Sequence, residues 1–507
     1  MFKILSYNEA NLVDIFVNPT TSKNSINGKT HFGFFKEYFG SSGLNAKSII
    51  VEEQYISKDF FSDFSSYYSL CFKDYPKYCK RLHFFKEVYD KATFQSIIFN
   101  KNNNKDFENS YIGFIVVKPI PFTIIGFTLL KNYPFSSKNS SREYFGTREY
   151  IIHLFGYKLK IRSLAFQEQD SVLSACATTA IWSTIQKAAD LDYQITIKSP
   201  YEITKDAGLM SSDGSRLFPN KNGLSILQMC QALTSSGLVV EVRHFRNSLG
   251  IYIQGSNSYL KKLVYAYSPI GIPIIIIVNV PNGNSYDLHA LAANGYKYSK
   301  SKIVPPRSEI SWKSDDIEKI YVHDDQVGPF ARVEFKSNDT LITNWTINNG
   351  DKPTFTSSVL IPVFPKIRLS YDSIEAITIV IDEILSTAFN QIITFDFYWD
   401  IRVQFSEDYK NEIRLSTDDN SIKSKIQLKS LPKYIWISSC YVGETIVFDF
   451  IFDATEVANS MFLLEIVSYN TSLSSDFKKV LTANIGYVNM FKHANRDLFF
   501  DCLINKL

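Results

Sequence analysis

Gln167-Glu168-Gln169-Asp170-Ser171-Val172-Leu173-Ser174-Ala175-Cys176-Ala177-Thr178-Thr179-Ala180-Ile181-Trp182 passes from a polar approach into an apolar periodic run, with one cysteine at the junction. Ala177, Ala180, Ile181, Thr184, Ile185 and Ala188 recur at three- and four-residue intervals, and neither Gly nor Pro interrupts them before Asp190. The spacing predicts a helix with Ser174 as its N-cap and Cys176 in its first turn. A helix N-terminus carries about half a positive charge and unpaired N–H groups. Both favour the thiolate of a cysteine, whose free pKa of about 8.5 otherwise leaves it mostly protonated at neutral pH. A lone helical cysteine is ordinarily a small buried hydrophobe. A histidine and an aspartate downstream lift Cys176 above that reading.

The run Gly271-Ile272-Pro273-Ile274-Ile275-Ile276-Ile277-Val278-Asn279-Val280 is β-branched and apolar on both faces, which predicts a buried central strand. Pro281 to Ser285 is a cluster of turn formers, and the chain resumes as a strand from Leu288 to Tyr298, so an antiparallel hairpin is expected with His289 near one end of the sheet. A further strand ends in Tyr321-Val322-His323-Asp324-Asp325, before Gly328-Pro329. Cys, His and Asp therefore occur in that order along the chain, and offer a nucleophile, a general base and an orienting acid. An imidazole requires a partner on its second nitrogen to fix tautomer and ring orientation. Asp324 is the first choice for that partner and Asp325 the second. An oxyanion needs donors already aimed at it, and Gln169, with Gln167 as its alternative, would supply a side-chain amide beside the N–H of Cys176. Together these residues point to a cysteine hydrolase.

The Gln…Asp…Ala-Cys-Ala-x-x-Ala-x-Trp block, the Gly-x-Pro-apolar strand, the His289-Ala-Leu-x-x-x-Gly-Tyr296 block and the Asp after the next strand resemble the papain-like cysteine peptidases. The nearest branch is the bacterial one that includes the bacteriocin-leader (double-glycine) peptidases, and the resemblance spans about residues 150–336. It implies a helix carrying the nucleophile packed on an antiparallel sheet that carries the base and the acid. By that resemblance Cys176 is the nucleophile, His289 the base, Asp324 the orienting acid and Gln169 the oxyanion donor. Two departures stand out. Gln169 lies one residue further from the cysteine than is usual, with Asp170 in the usual place, and a polar insertion from Lys297 to Lys319 lengthens the interval between His289 and Asp324. The expected function is that of an intracellular bacterial peptidase acting on a peptide or protein through a thioester. The same fold and triad also serve acyltransferases, and a non-catalytic interaction scaffold is the reading from outside enzymology.

A chain of 507 residues is too long for one ordinary core. Its expected overall class is α+β, with an N-terminal α+β domain over 1–150, the papain-like domain over 151–340 and a β-rich α+β domain over 341–507. Helical stretches are expected at Phe60–Tyr75, His83–Phe94, Gly223–Ser235 and Ser373–Phe389, and residues 337–354 read as a linker. The flanks are assigned to substrate or partner binding, including a regulatory protein partner that would gate cleavage in a defence or toxin system. A formal charge of +3 gives no support to nucleic-acid binding. The six cysteines lack C-x-x-C spacing, so no disulfide framework, zinc site or other cofactor is expected, and a reducing cytoplasm fits. No secretory signal is read at the start, and the apolar stretch 111–130 holds Lys118, Pro119 and Pro121 at its middle. That pattern predicts two strands joined by a turn and no membrane role.

Overall fold

A computed structural model describes the chain except at residues 1, 19, 135, 138–139, 171, 174, 209, 211–222, 248, 300–309, 390–396, 417–418, 458–461 and 484–496. The fold is mixed α+β with several antiparallel sheets. Its contacts divide it into two units. The first comprises Met1–Ile253, Ile272–Lys297 and Lys319–Pro362, and the second Gln254–Gly271, Tyr298–Glu318 and Val363–Leu507. These boundaries do not coincide with the expected cuts near 150 and 340.

The first unit holds two main sheets. One is a five-stranded sheet of β1 (Phe2–Ser6), β2 (Ser48–Tyr55), β3 (Cys79–Phe85), β4 (Tyr111–Val117) and β5 (Ile125–Leu130), paired antiparallel in that order. The expected strand pair within 111–130 is thus present. The expected helix at His83–Phe94 is not: His83 to Phe85 belong to a strand, and Leu82 to Phe85 are buried, so packing on both faces overrides a helix-like pattern. The helix of that region is Lys91–Phe99, capped by Asp90, which accepts from the N–H of Thr93. Helix α1 (Thr30–Phe39) sets Phe32, Phe35 and Phe39 into the core under this sheet.

Phe166 packs in the same core and exchanges two backbone hydrogen bonds with Thr128 on β5. The approach to Cys176 is therefore stitched to the N-terminal sheet, which is why no boundary falls near 150. Helix α2 (Cys176–Leu191) is buried almost all round from Ala177 to Ala188, as suits a helix packed inside a unit rather than on its surface.

The second sheet of this unit runs β6 (Val239–His244), β12 (Phe355–Val363), β7 (Ile274–Asn282), β8 (Ser285–Ser299), β9 (Ile317–Asp324), β10 (Gly328–Phe335) and β11 (Leu341–Ile342). The apolar run lies where its composition requires, with β7 buried between β12 and β8. The β7–β8 hairpin closes through Gly283 and Asn284, with Asn282 facing Ser285 and Gly283 at φ +56°. His289 is the fifth residue of β8 and stands opposite Val278. The helix expected at Gly223–Ser235 is observed as Ile226–Ser235.

The stretch read as a linker is folded. It contains β11 and a short helix, α3 (Asn344–Asn348), whose N-cap Thr343 accepts from the N–H of Thr346. Thr343, Thr346 and Thr354 hydrogen-bond to one another in a buried cluster, so a polar composition here satisfies itself internally instead of marking an exposed tether.

The second unit is built on a five-stranded sheet in which Phe397–Phe405, Tyr434–Val442, Thr445–Asp453 and Leu463–Ser468 form an antiparallel meander. Ser311–Trp312 adds a parallel edge. The helix Tyr371–Phe389 covers one face, where Thr378 meets Ser438 and the Trp399 indole donates to Asp382. Tyr409, Ile413, Ile422 and Ile426 cover the other. Among the described residues no helix is long and apolar enough to cross a membrane.

Candidate active site

Cys176 is the first residue of α2, with Ala175 as the N-cap, and is partly exposed. The cap expected at Ser174 lies outside the described residues. Ala175 offers no side-chain cap, and the start of the helix is instead tightened by the Thr178 hydroxyl, which accepts from the N–H of Ala175. The turn ahead of it is shaped by Asp170. That carboxylate accepts from the N–H groups of Val172 and Leu173 and from the hydroxyl of Tyr68. The acid that stands where the resemblance would place a glutamine is thus used to build the loop.

His289 and Asp324 come from neighbouring strands, β8 and β9. His289 Nε2 lies 2.9 Å from Asp324 Oδ1. The Cys176 sulfur acts on the same imidazole and favours its protonated form. Since Nε2 faces the carboxylate, the nitrogen left for the sulfur is Nδ1. Asp324 closes β9 at a bulge, and its Oδ1 also accepts the N–H of Gln326 at 3.0 Å. Its Oδ2 accepts the indole N–H of Trp345 at 3.1 Å, and the Trp345 ring lies 5.2 Å from the His289 ring.

The carboxylate is therefore held from three directions. Trp345, on α3, was hidden in the supposed linker; the only signal for it in the sequence is a tryptophan inside an otherwise polar stretch.

Burial sets the electrostatics. His289, Asp324 and Asp325 are each 3% exposed. Burial alone would lower the pKa of His289, but the Asp324 carboxylate and the Cys176 sulfur outweigh it and raise it well above the ordinary value. Burial likewise works to raise Asp324, and the His289 cation with three hydrogen bonds brings it below the usual carboxylate range. The favoured state is an imidazolium between an anionic carboxylate and a sulfur. Asp325 is different. Neither of its oxygens has a hydrogen-bond partner, its Oδ1 stands 3.6 Å from His289 Nε2, and burial pushes its carboxyl up to about 7.

The geometry thus separates the two candidates for the orienting acid, with Asp324 bonded to His289 and Asp325 beside it. His323, just before them in the chain, is buried and driven down to about 3 by that burial, so it is neutral.

Gln169 and Gln167 both lie in the approach loop. Gln167 is buried with its Nε2 unpartnered, whereas Gln169 is half-buried. Each remains a candidate donor to an oxyanion. Glu168, between them, is fixed: it accepts the N–H of Ile125 and pairs with Lys29 at 2.5 Å.

His289, Asp324 and Asp325 offer three atoms within 4.8 Å of one another, a spacing a metal ion could bridge. Metal binding there would require His289 Nε2 to give up its proton and its bond to Asp324, so as it stands the trio is arranged as carboxylates around a proton-bearing imidazole. No protein-family model matches the chain, and comparison with characterised proteins finds no match.

Proposed function

We propose that the chain is a papain-like cysteine peptidase that hydrolyses a peptide or isopeptide bond through a thioester intermediate. The observation that carries the reading is the meeting of Cys176 at a helix N-terminus, whose sulfur helps to raise the pKa of His289, with the 2.9 Å bond from His289 to Asp324. In this reading the thiol proton rests on Nδ1 of His289, and the thiolate attacks the substrate carbonyl carbon while the carbonyl π pair moves to oxygen. The N–H groups at the start of α2 and the amide of Gln169 or Gln167 receive the oxyanion. As the tetrahedral species collapses, the C–N bond breaks and His289 returns the proton to the leaving amine. Water, deprotonated by His289, then attacks the thioester, and the sulfur leaves.

Asp324 keeps the ring oriented and its positive charge matched through both halves. The working compartment in this reading is the reducing cytoplasm of a bacterial cell. The substrate is a peptide or protein. The test compares the peptides released from a complex proteome by the wild type and by Cys176→Ala. Sequence-specific cleavage that disappears in a folded Cys176→Ala variant is expected, and identical peptide sets from both proteins would remove the proposal.

A further inference from the structure

We propose that His31, on the first turn of α1, is a positioning residue for the active site, acting through a single peptide plane. This rests on the reading of Cys176, His289 and Asp324 as a catalytic group. His31 Nε2 lies 2.8 Å from the carbonyl oxygen of Asp325. A carbonyl oxygen only accepts, so Nε2 carries the proton and donates it. That carbonyl and the N–H of Gln326 are the two ends of one peptide unit, which is planar and rigid. The Gln326 N–H donates to Asp324 Oδ1, the same oxygen that holds His289 Nε2.

One connected series of hydrogen bonds therefore runs from His31 through the 325–326 peptide to Asp324 and then to His289, the ring on which the Cys176 sulfur acts. Fixing the carbonyl end of the plane fixes the direction of its N–H, and polarising the carbonyl strengthens that N–H as a donor. His31 is buried, and its pKa is lowered by that burial, so it serves as a neutral donor.

Neighbours of His31 on the same helix brace the site in two more places. A Cβ added at Gly328, where β10 leaves the Asp324 turn, would fall 2.5 Å from Cδ1 of Phe34, so the helix is seated directly on that turn. Lys29, the N-cap residue of α1, pairs with Glu168 between the two candidate oxyanion glutamines. The N-terminal segment thus holds both the acid arm and the approach to the nucleophile, and His31 is the member whose effect on the base is direct.

The experiment uses the full chain and iodoacetamide, following alkylation of Cys176 by mass spectrometry between pH 5 and 9 in wild type, His31→Ala, His31→Met and His31→Gln. The wild type is expected to alkylate fast at Cys176 down to mildly acid pH. His31→Ala, folded by circular dichroism, is expected to lose roughly 10- to 100-fold in that rate, with its pH midpoint moved upward, because a misplaced base cannot hold the ion pair. His31→Gln, which keeps an N–H donor, should recover most of the loss, and His31→Met, which fills the space without one, should not. A His31→Ala or His31→Met variant that alkylates like the wild type at every pH overturns the inference. So does failure of Ala and Met variants alike to fold, which would assign His31 to the fold rather than the site. A wild type with no fast cysteine removes the catalytic reading itself, and this inference with it.

Discussion

Asp324 is the residue on which the most geometry converges, and its three donors are not equivalent. His289 and the Gln326 N–H share Oδ1, while Trp345 alone holds Oδ2 and so sets the rotation of the carboxylate. Trp345→Phe keeps a ring beside His289 and deletes only that bond. A hydrogen bond to a charged group contributes roughly 1.5–3 kcal/mol, so a comparable loss in denaturant stability is expected, with a fall of about tenfold in the rate of the proposed cleavage from the freed carboxylate. Unchanged stability and rate would show the indole to be a bystander.

Asp325 gives a prediction of opposite sign to a normal paired carboxylate. Its carboxyl ionises near 3.8 when free and near 7 in the folded chain. The unfolded state therefore releases the proton first, and Asp325 withdraws stability progressively as pH rises from about 4 to 7. Asp325→Asn removes that penalty. Relative to wild type it should gain stability between pH 5 and pH 8, by up to about 4 kcal/mol in total, and lose any activity inflection near neutrality that arises from a second charge beside His289. A difference between the two proteins that is flat in pH, measured by urea unfolding, would refute this.

At the scale of elements, much of the site was legible because its strands and helix are specified locally. The β-branched run around Ile274 to Ile277 reads as a buried strand and the turn formers after it as a hairpin; the structure adds the register that puts His289 opposite Val278. The helix from Cys176 follows from spacing alone.

What was not legible depends on partners distant in sequence. Trp345 reads as part of a polar tether until the threonines around it are seen to bond one another, and His31 becomes meaningful only when the Asp325 carbonyl is beside it. The strand at His83 reads as helix because nothing local reports that both of its faces will be covered. The seating of α1 on the acid turn can be tested where it is tightest. Gly328→Ala drives a methyl group into the Phe34 ring, and overpacking of this kind costs typically about 1–3 kcal/mol. A thermal melt should show that loss, and Phe34→Leu in the same chain should relieve part of it; additive losses in the double variant would contradict the contact.

At the scale of the whole molecule, changes of composition near 150 and 340 suggest three domains, yet the contacts that count cross both positions. The strand that completes the sheet beside Ile274–Asn282 is Phe355–Val363, beyond the second cut, and the Phe166–Thr128 pairing crosses the first. The second unit is also contributed by three separate stretches, so no contiguous excision isolates either unit. A segment comprising residues 151–340 would contain Cys176, His289 and Asp324 but lack His31, Trp345 and the strand that covers the edge of the apolar Ile274–Asn282 strand.

Exposing that edge leaves a row of unpaired backbone groups flanked by isoleucines, which is a template for aggregation. The excised segment is therefore expected to aggregate on expression, and any soluble fraction to lack both native-like thermal unfolding and rapid alkylation of Cys176. Low activity in such a piece would then report a broken sheet and a loosened acid, not release or loss of a regulatory partner. A soluble 151–340 segment that melts cooperatively and alkylates at the full-length rate would show that the catalytic group is self-contained, and that the N-terminal helix and the Phe355–Val363 strand are additions to it.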